Sequence, residues 1–357
     1  MTPLGRLIAT RIAAEGPISL ADYMADCLMH PVHGYYATRD PFGSQGDFTT
    51  APEISQMFGE LLGLCLAQAW MDQVRPLPFR LVELGPGRGT LMADMLRALG
   101  SVPGLHGQIE VALVEASPKL RAVQKERLQG HKVQWLDRLD DLADGPLFLV
   151  ANEFFDALPI RQFVRADAGW SERMVGLKDG LLTLGLGPAT PYGSLAARLA
   201  DTRPGDLVEL CPALAPISEE IARRIATNGG AALVIDYGGW HSLGDTLQAL
   251  KDHRPTDPFA APGEADLTAH VDFEALSLAF TRPGARPSRM VSQGLFLERL
   301  GIGARAERLA AQLQGAALDS HLAAYRRLTD TSEMGELFKV IACHPAGAPP
   351  PPGLDPI

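Results

Sequence analysis

The run Val82-Glu83-Leu84-Gly85-Pro86-Gly87-Arg88-Gly89 constrains this chain more than any other stretch. It joins a short apolar segment to a helical pattern, Thr90 to Leu99, through three glycines at alternating positions. Glycine at such a junction frees the backbone to turn and lets a ligand approach the main chain closely. The segment reads as strand, binding turn and helix N-terminus, the opening unit of a parallel α/β sheet.

The flanking chain supports that class. Short apolar runs followed by turn residues recur in RLVELGPGRG, IEVALVEASP and PLFLVANEFF, which predicts βαβ units. Residues 160 to 186 read instead as antiparallel hairpins turning at Asp-Ala-Gly and Lys-Asp-Gly. A helix is expected over 214 to 228, a further strand of the main sheet over 231 to 238, loops and short helices over 240 to 300, a helix over 303 to 328, and a late strand over 335 to 343. Upstream, 4 to 30 and 52 to 74 carry helical spacing around a Gly-rich aromatic loop. The expected organisation is an N-terminal helical extension with that loop (1–75), an α/β core (76–343) with α+β insertions at about 160–228 and 240–300, and a disordered proline-rich tail (344–357).

Composition narrows the partners. With 357 residues, 46% of them hydrophobic, the chain buries a substantial core. A net charge of -10 without a Lys/Arg cluster speaks against a nucleic-acid backbone as partner, since that needs cations to replace counterions. Four scattered cysteines with no CxxC pair give neither a metal site nor a disulfide framework, and fit a reducing compartment. No run of eighteen apolar residues predicts a membrane span, and the start has no transit-peptide character, so a cytoplasmic location is expected. An apolar helical surface permits a homodimer without requiring one.

The loop chemistry selects a cofactor. A dinucleotide fingerprint places glycine three residues after its second glycine, where this chain has Thr90; Gly89 comes one residue early. The G-x-G-x-G spacing of Gly85, Pro86, Gly87 and Gly89 suits S-adenosyl-L-methionine, whose carboxylate takes loop amides and whose cationic groups favour Glu83. Glu115, at the end of the second strand, can accept both hydrogen bonds of a ribose diol. Asp137, after a third strand, is placed to bond an adenine amine, with Trp135 or Leu136 over the ring. A tight turn and a solvated strand end are the alternatives for the glycines and Glu115.

The strand Leu147 to Ala151 stops at Asn152, Glu153 and Asp156, beyond a carboxyl edge where ligands bind. Carboxylates there can orient a guanidinium and help to remove its proton, unless Asn152 or Asp156 merely caps a helix. Thr50 and Pro52 read as a helix start, and Gly46-Asp47-Phe48 as a lid.

Taken together, HPVHGYY (30–36), GDFTTAPEIS (46–55), ELGPGRGT (83–90), ANEFFDALP (151–159), VIDYG (234–238) and ADLTAHVDF (265–273) resemble the MidA family, bacterial relatives of the mitochondrial complex I assembly factor 7, from about Gly16 to Val340. The resemblance implies a class I S-adenosyl-L-methionine-dependent methyltransferase fold of Rossmann-like type. It implies symmetric dimethylation of an arginine on a 49-kDa-type subunit of NADH dehydrogenase. It assigns Gly85 and Gly87 to the cofactor. It also assigns the segment holding Gly46, Asp47, Phe48, Thr50 and Pro52 to cofactor closure, and Asn152, Glu153 and Asp156, with Asp47, to the acceptor. A small-molecule methyltransferase and an assembly chaperone with a non-catalytic cofactor site are the competing readings.

Overall fold

A computed structural model describes residues 1–38, 49–105 and 107–357. They form two compact units, one of residues 1–38, 156–214 and 241–271, the other of residues 49–105, 107–155, 215–240 and 272–357.

In the second unit the sheet runs in the order Ala285–Pro287, Phe338–Pro345, Gly230–Gly239, Leu147–Asn152, Phe79–Leu84, Ile109–Val114, Val133–Leu136. The last five strands are mutually parallel. Phe338–Pro345 lies antiparallel to Gly230–Gly239. Strands buried on both faces are mostly apolar, so Leu147–Asn152 is apolar up to its last residue and Phe79–Leu84 is apolar apart from the buried Arg80 and Glu83. The Phe79 and Phe148 rings stack at 4.4 Å, each burying area worth roughly 1.5 to 3 kcal/mol. Helix Gln56–Asp72 packs on the same core through Phe58, Leu62, Leu66 and Trp70. The break expected at residue 75 is therefore no unit boundary, because this helix needs the sheet to cover its apolar surface. Gly59 lets it meet helix Thr90–Leu99 closely, since a Cβ there would stand 2.6 Å from that of Asp94.

The first unit holds helices Pro3–Glu15 and Leu20–Met29 and an antiparallel sheet built on Arg161–Ala166, Gly169–Lys178 and Leu181–Leu186. The hairpin at 178–181 turns where expected, with Asp179 and Gly180 at φ 52° and 77°. A small sheet of Gln248–Lys251, Arg254–Pro255 and Asp266–Thr268 occupies part of the 240 to 300 region, where only loops and helices were expected. Those strands are too short to leave a period in the sequence.

Three other expectations change. Residues 303 to 328 form two helices, Ile302–Ala310 and Ala316–Thr329, with Gly315 at positive φ before the second. The late strand starts at Phe338, after a helical turn Met334–Leu337. The tail packs on the core: Leu354 is buried, Asp355 pairs with Arg299 at 2.8 Å, and its carbonyl accepts from the Arg289 N–H. Prolines stiffen a segment, and one apolar anchor is then enough to dock it.

Where the parallel strands begin, Gln73 bonds both backbone groups of Gly230, at 2.8 and 2.9 Å. Gly230 has φ 116°, and a Cβ on it would stand 1.9 Å from the Leu147 carbonyl oxygen. Gly230→Ala is expected to cost about 3 kcal/mol in urea unfolding. Gly130→Ala, at φ 87° in open space, is expected to cost only about 1 kcal/mol. Equal losses would contradict the importance of that close approach.

Candidate functional site

Strand Phe79–Leu84 has Ile109–Val114 on one side and Leu147–Asn152 on the other. Chain order reverses there, and the crevice beyond the strand ends is where α/β sheets take ligands. The Gly85 N–H donates to the Val114 carbonyl at 3.1 Å, and the chain then turns through φ 63° at Gly85, 49° at Gly87 and 76° at Gly89. A Cβ on Gly85 would come within 2.9 Å of the Phe154 ring. Gly89 caps helix Thr90–Leu99 and has no side chain to bond its first-turn amides; a helix N-terminus of this kind favours an anion.

Two carboxylates flank this loop. Glu83 is only 3% exposed, and one of its oxygens has no hydrogen-bond partner among the described residues. Burial, with the nearby charge of Glu115, pushes its pKa up to about 8, although the Met92 N–H favours the ionised form. Glu115 is also buried. It accepts from the Ser117 N–H at 2.7 Å and from Gln124 Nε2 at 3.2 Å, bonds that oppose the upward shift caused by its burial.

Gln124, which the sequence reading passed over, links these parts. Its amide also donates to the Gly87 carbonyl at 2.8 Å, and its oxygen accepts from the Trp135 indole at 2.9 Å. A signal existed: Leu120, Gln124 and Leu128 lie four residues apart on the buried face of a charged segment. Asp137 is 79% exposed at its side chain and pairs with Arg121 at 2.6 Å.

At the next strand end, Glu153 has φ 51° and donates its N–H to the Ile235 carbonyl at 2.9 Å. One oxygen of its carboxylate accepts from the Ala51 N–H at 3.0 Å and from Asn152 Nδ2 at 3.1 Å. Thr50 takes the capping position of helix Ala51–Ile54 but makes no side-chain cap bond. Glu153 instead bonds the Ala51 N–H, another unsatisfied amide of that first turn, while the Glu53 N–H, which a Thr50 side-chain cap would take, bonds the Thr50 carbonyl at 2.9 Å. Pro52 is the second residue of that helix, and Glu53 accepts from the Thr90 hydroxyl. Asn152 is buried, and its Oδ1 has no partner among the described residues.

The loop residues Gly85, Pro86 and Gly87 thus share one unit with Glu83, Glu115, Asn152 and Glu153. Asp156 belongs to the other unit, where it is buried and its carbonyl accepts from the Ala269 N–H at 3.0 Å. Its charge and that of Asp266 hold the buried Tyr36 hydroxyl well above the usual range, after the larger effect of burial. Gly46, Asp47 and Phe48 lie outside the described residues.

Because the folded-state pKa of Glu83 is raised above its ordinary 4.5, the stability tied to its neutral form is fully present below about 4.5 and is lost as pH rises through about 8. Glu83→Gln mimics the neutral acid. Urea unfolding from pH 5 to 9 should show the variant gaining on the order of 3 kcal/mol relative to the parent; parallel profiles would contradict a buried, protonated Glu83.

Comparison with known proteins fits this geometry. Residues 61–290 match a family model described as "Putative S-adenosyl-L-methionine-dependent methyltransferase". The protein arginine methyltransferase NDUFAF7, mitochondrial, of Homo sapiens is 38% identical, the match covering 97% of this chain and 84% of the human one. Its Xenopus tropicalis counterpart is 37% identical, with coverage of 94% and 84%. A crystal structure of a Burkholderia thailandensis protein bound to S-adenosyl-homocysteine superposes with a TM-score of 0.83 at 32% identity, covering 98% of this chain and 93% of that one. The expected cytoplasmic location does not stand, since these curated relatives are mitochondrial proteins. The fold is the class I, Rossmann-like one that the glycine loop foretold, and the chain belongs to the S-adenosyl-L-methionine-dependent methyltransferase family.

Proposed function

We propose that this chain methylates an arginine of a protein acceptor, the 49-kDa-type subunit of NADH dehydrogenase, carrying it to the symmetric dimethyl state. The observation that carries the methyl-transfer half is the pair of buried acceptor atoms without partners among the described residues, one Glu83 oxygen and Asn152 Oδ1, at neighbouring strand ends beside the glycine loop. Uncompensated buried acceptors are costly, and the ammonium of S-adenosyl-L-methionine is the group that would satisfy them. The residues present therefore fit this cofactor. When bound, it supplies a methyl group on a positive sulfur, open to in-line displacement.

The chain's own residues hold and align. Gly85 and Gly87 bring the loop close, Pro86 stiffens it, the N-terminus of helix Thr90–Leu99 receives the carboxylate, and Glu115 takes the ribose. Alignment of nucleophile, methyl and sulfur is where much of the rate acceleration arises. Glu153, pinned by Ala51 and Asn152 at a strained φ, is the carboxylate we assign to the guanidinium, which it binds by charge-assisted hydrogen bonds.

The arginine half rests on the human and frog relatives, which are named protein arginine methyltransferases. Mass spectrometry of the acceptor subunit from cells with and without this protein should show loss of dimethylarginine in its absence. Gly87→Val, which forces a branched side chain to φ 49°, should abolish cofactor binding and give the same loss. Unchanged arginine methylation would overturn the acceptor. Normal complex assembly with the Gly87→Val chain would overturn methyl transfer as the role that matters.

A further inference from the structure

We propose that Gln124 is a positioning residue for cofactor recognition, coupling the glycine loop to the ribose-binding carboxylate so that the two act as one preorganised surface. The inference rests on the assignment of Glu115 to the ribose.

The amide of Gln124 is fully buried, and its bonds are nearly complete. A primary amide offers two donors and an acceptor oxygen. Here the donors go to the Gly87 carbonyl and the Glu115 carboxylate, and the oxygen takes the Trp135 N–H. Each bond fixes something different. The bond to Gly87 sets the plane of the Gly87–Arg88 peptide; because a trans peptide points its N–H opposite to its C=O, the Arg88 N–H is directed to the far side from Gln124. The bond to Glu115 restrains one carboxylate oxygen while the Ser117 N–H restrains the other. With the Ala116 N–H, which also bonds this carboxylate, about three of roughly four lone-pair directions are occupied, and the remainder is left for a hydroxyl donor. The Trp135 bond stops the amide from rotating, with Lys125 5.3 Å from the centre of the indole ring.

The residue type matters. A neutral donor orients Glu115 without neutralising it, whereas lysine or arginine would compete with a diol for the same charge. Glutamate at this position could not donate and would repel Glu115. The side chain also leaves little slack: a Cβ on Gly89 would stand 3.5 Å from Gln124 Cγ, so helix Pro118–Arg127 and the loop pack at contact distance.

The test is a protein-by-ligand cycle in calorimetry, using S-adenosylhomocysteine and its 2′-deoxy counterpart. The parent protein should prefer the ribose form by about 10- to 100-fold, the range of a hydrogen bond to a charged group. Gln124→Met keeps size and flexibility but removes all three bonds. It should weaken S-adenosylhomocysteine about 10-fold or more and cut the ribose preference below about 3-fold. Equal weakening of both ligands, with the preference intact, would overturn the proposal, because a purely structural role moves both affinities alike. Absence of a ribose preference in the parent would instead remove the Glu115 assignment, and the coupling with it. Should Gln124→Met not fold, Trp135→Phe, which removes the indole N–H that orients the amide and keeps an aromatic ring in its place, is read in the same cycle. It should lower the preference by a smaller factor, and an unchanged preference would overturn the proposal equally.

Discussion

The distance between the Gly85 backbone and the Phe154 ring governs the rest of the cofactor unit. With a Cβ excluded at 2.9 Å, only glycine lets the chain pass from the central strand into the turn against that ring. The neighbouring strand end is then fixed against that backbone. Asn152 and Glu153 occupy that end, and Glu153 reaches the first amide of helix Ala51–Ile54. One close approach thus aligns a loop, a strand terminus and a helix that are far apart in sequence. Gly230 plays the matching part at the opposite end of the parallel strands, where Gln73 grips its backbone.

The unit also concentrates buried carboxyl groups at this edge. Burial raises the cost of charge on both Glu83 and Glu115, and the charge of Glu115 raises that of Glu83 further. Such groups persist where a ligand completes them. Glu60 is also buried, but it is satisfied within the protein by Arg97 at 3.1 Å and Arg305 at 2.9 Å. Glu60 ties helices together, whereas Glu83 keeps an oxygen unpartnered among the described residues. Burial alone does not separate a structural acid from a binding one; the presence of a cation does.

Local chemistry in the sequence foretold much of this. The strand, glycine turn and helix at 79–99 were legible because three signals of different origin coincide: an apolar run, glycine spacing and helical periodicity. Glu115 was legible because the end of the second strand has a fixed place in such sheets. The Lys-Asp-Gly turn announced its hairpin through residues that tolerate positive φ. What stayed hidden depends on partners distant in sequence. The use of Glu153 as the cap of a helix 102 residues away leaves no periodic trace, and the cap was expected at Thr50, where the local rule points. Gln124 stood among lysines, arginines and glutamates, and only its four-residue spacing from two leucines marks it as buried. The separation of Asp156 from Asn152 and Glu153 into another unit follows from contacts, not from spacing along the chain. The tail was misjudged because proline content was weighed without its single leucine.

The central claim is that the glycine loop, Glu83 and Glu115 together hold S-adenosyl-L-methionine. A crystal structure of this chain grown with S-adenosylhomocysteine tests it most directly. The account predicts the ribose hydroxyls within about 3.2 Å of the Glu115 carboxylate and the amino group against Glu83 and Asn152. A ligand bound elsewhere, or with its ribose turned away from Glu115, would contradict it.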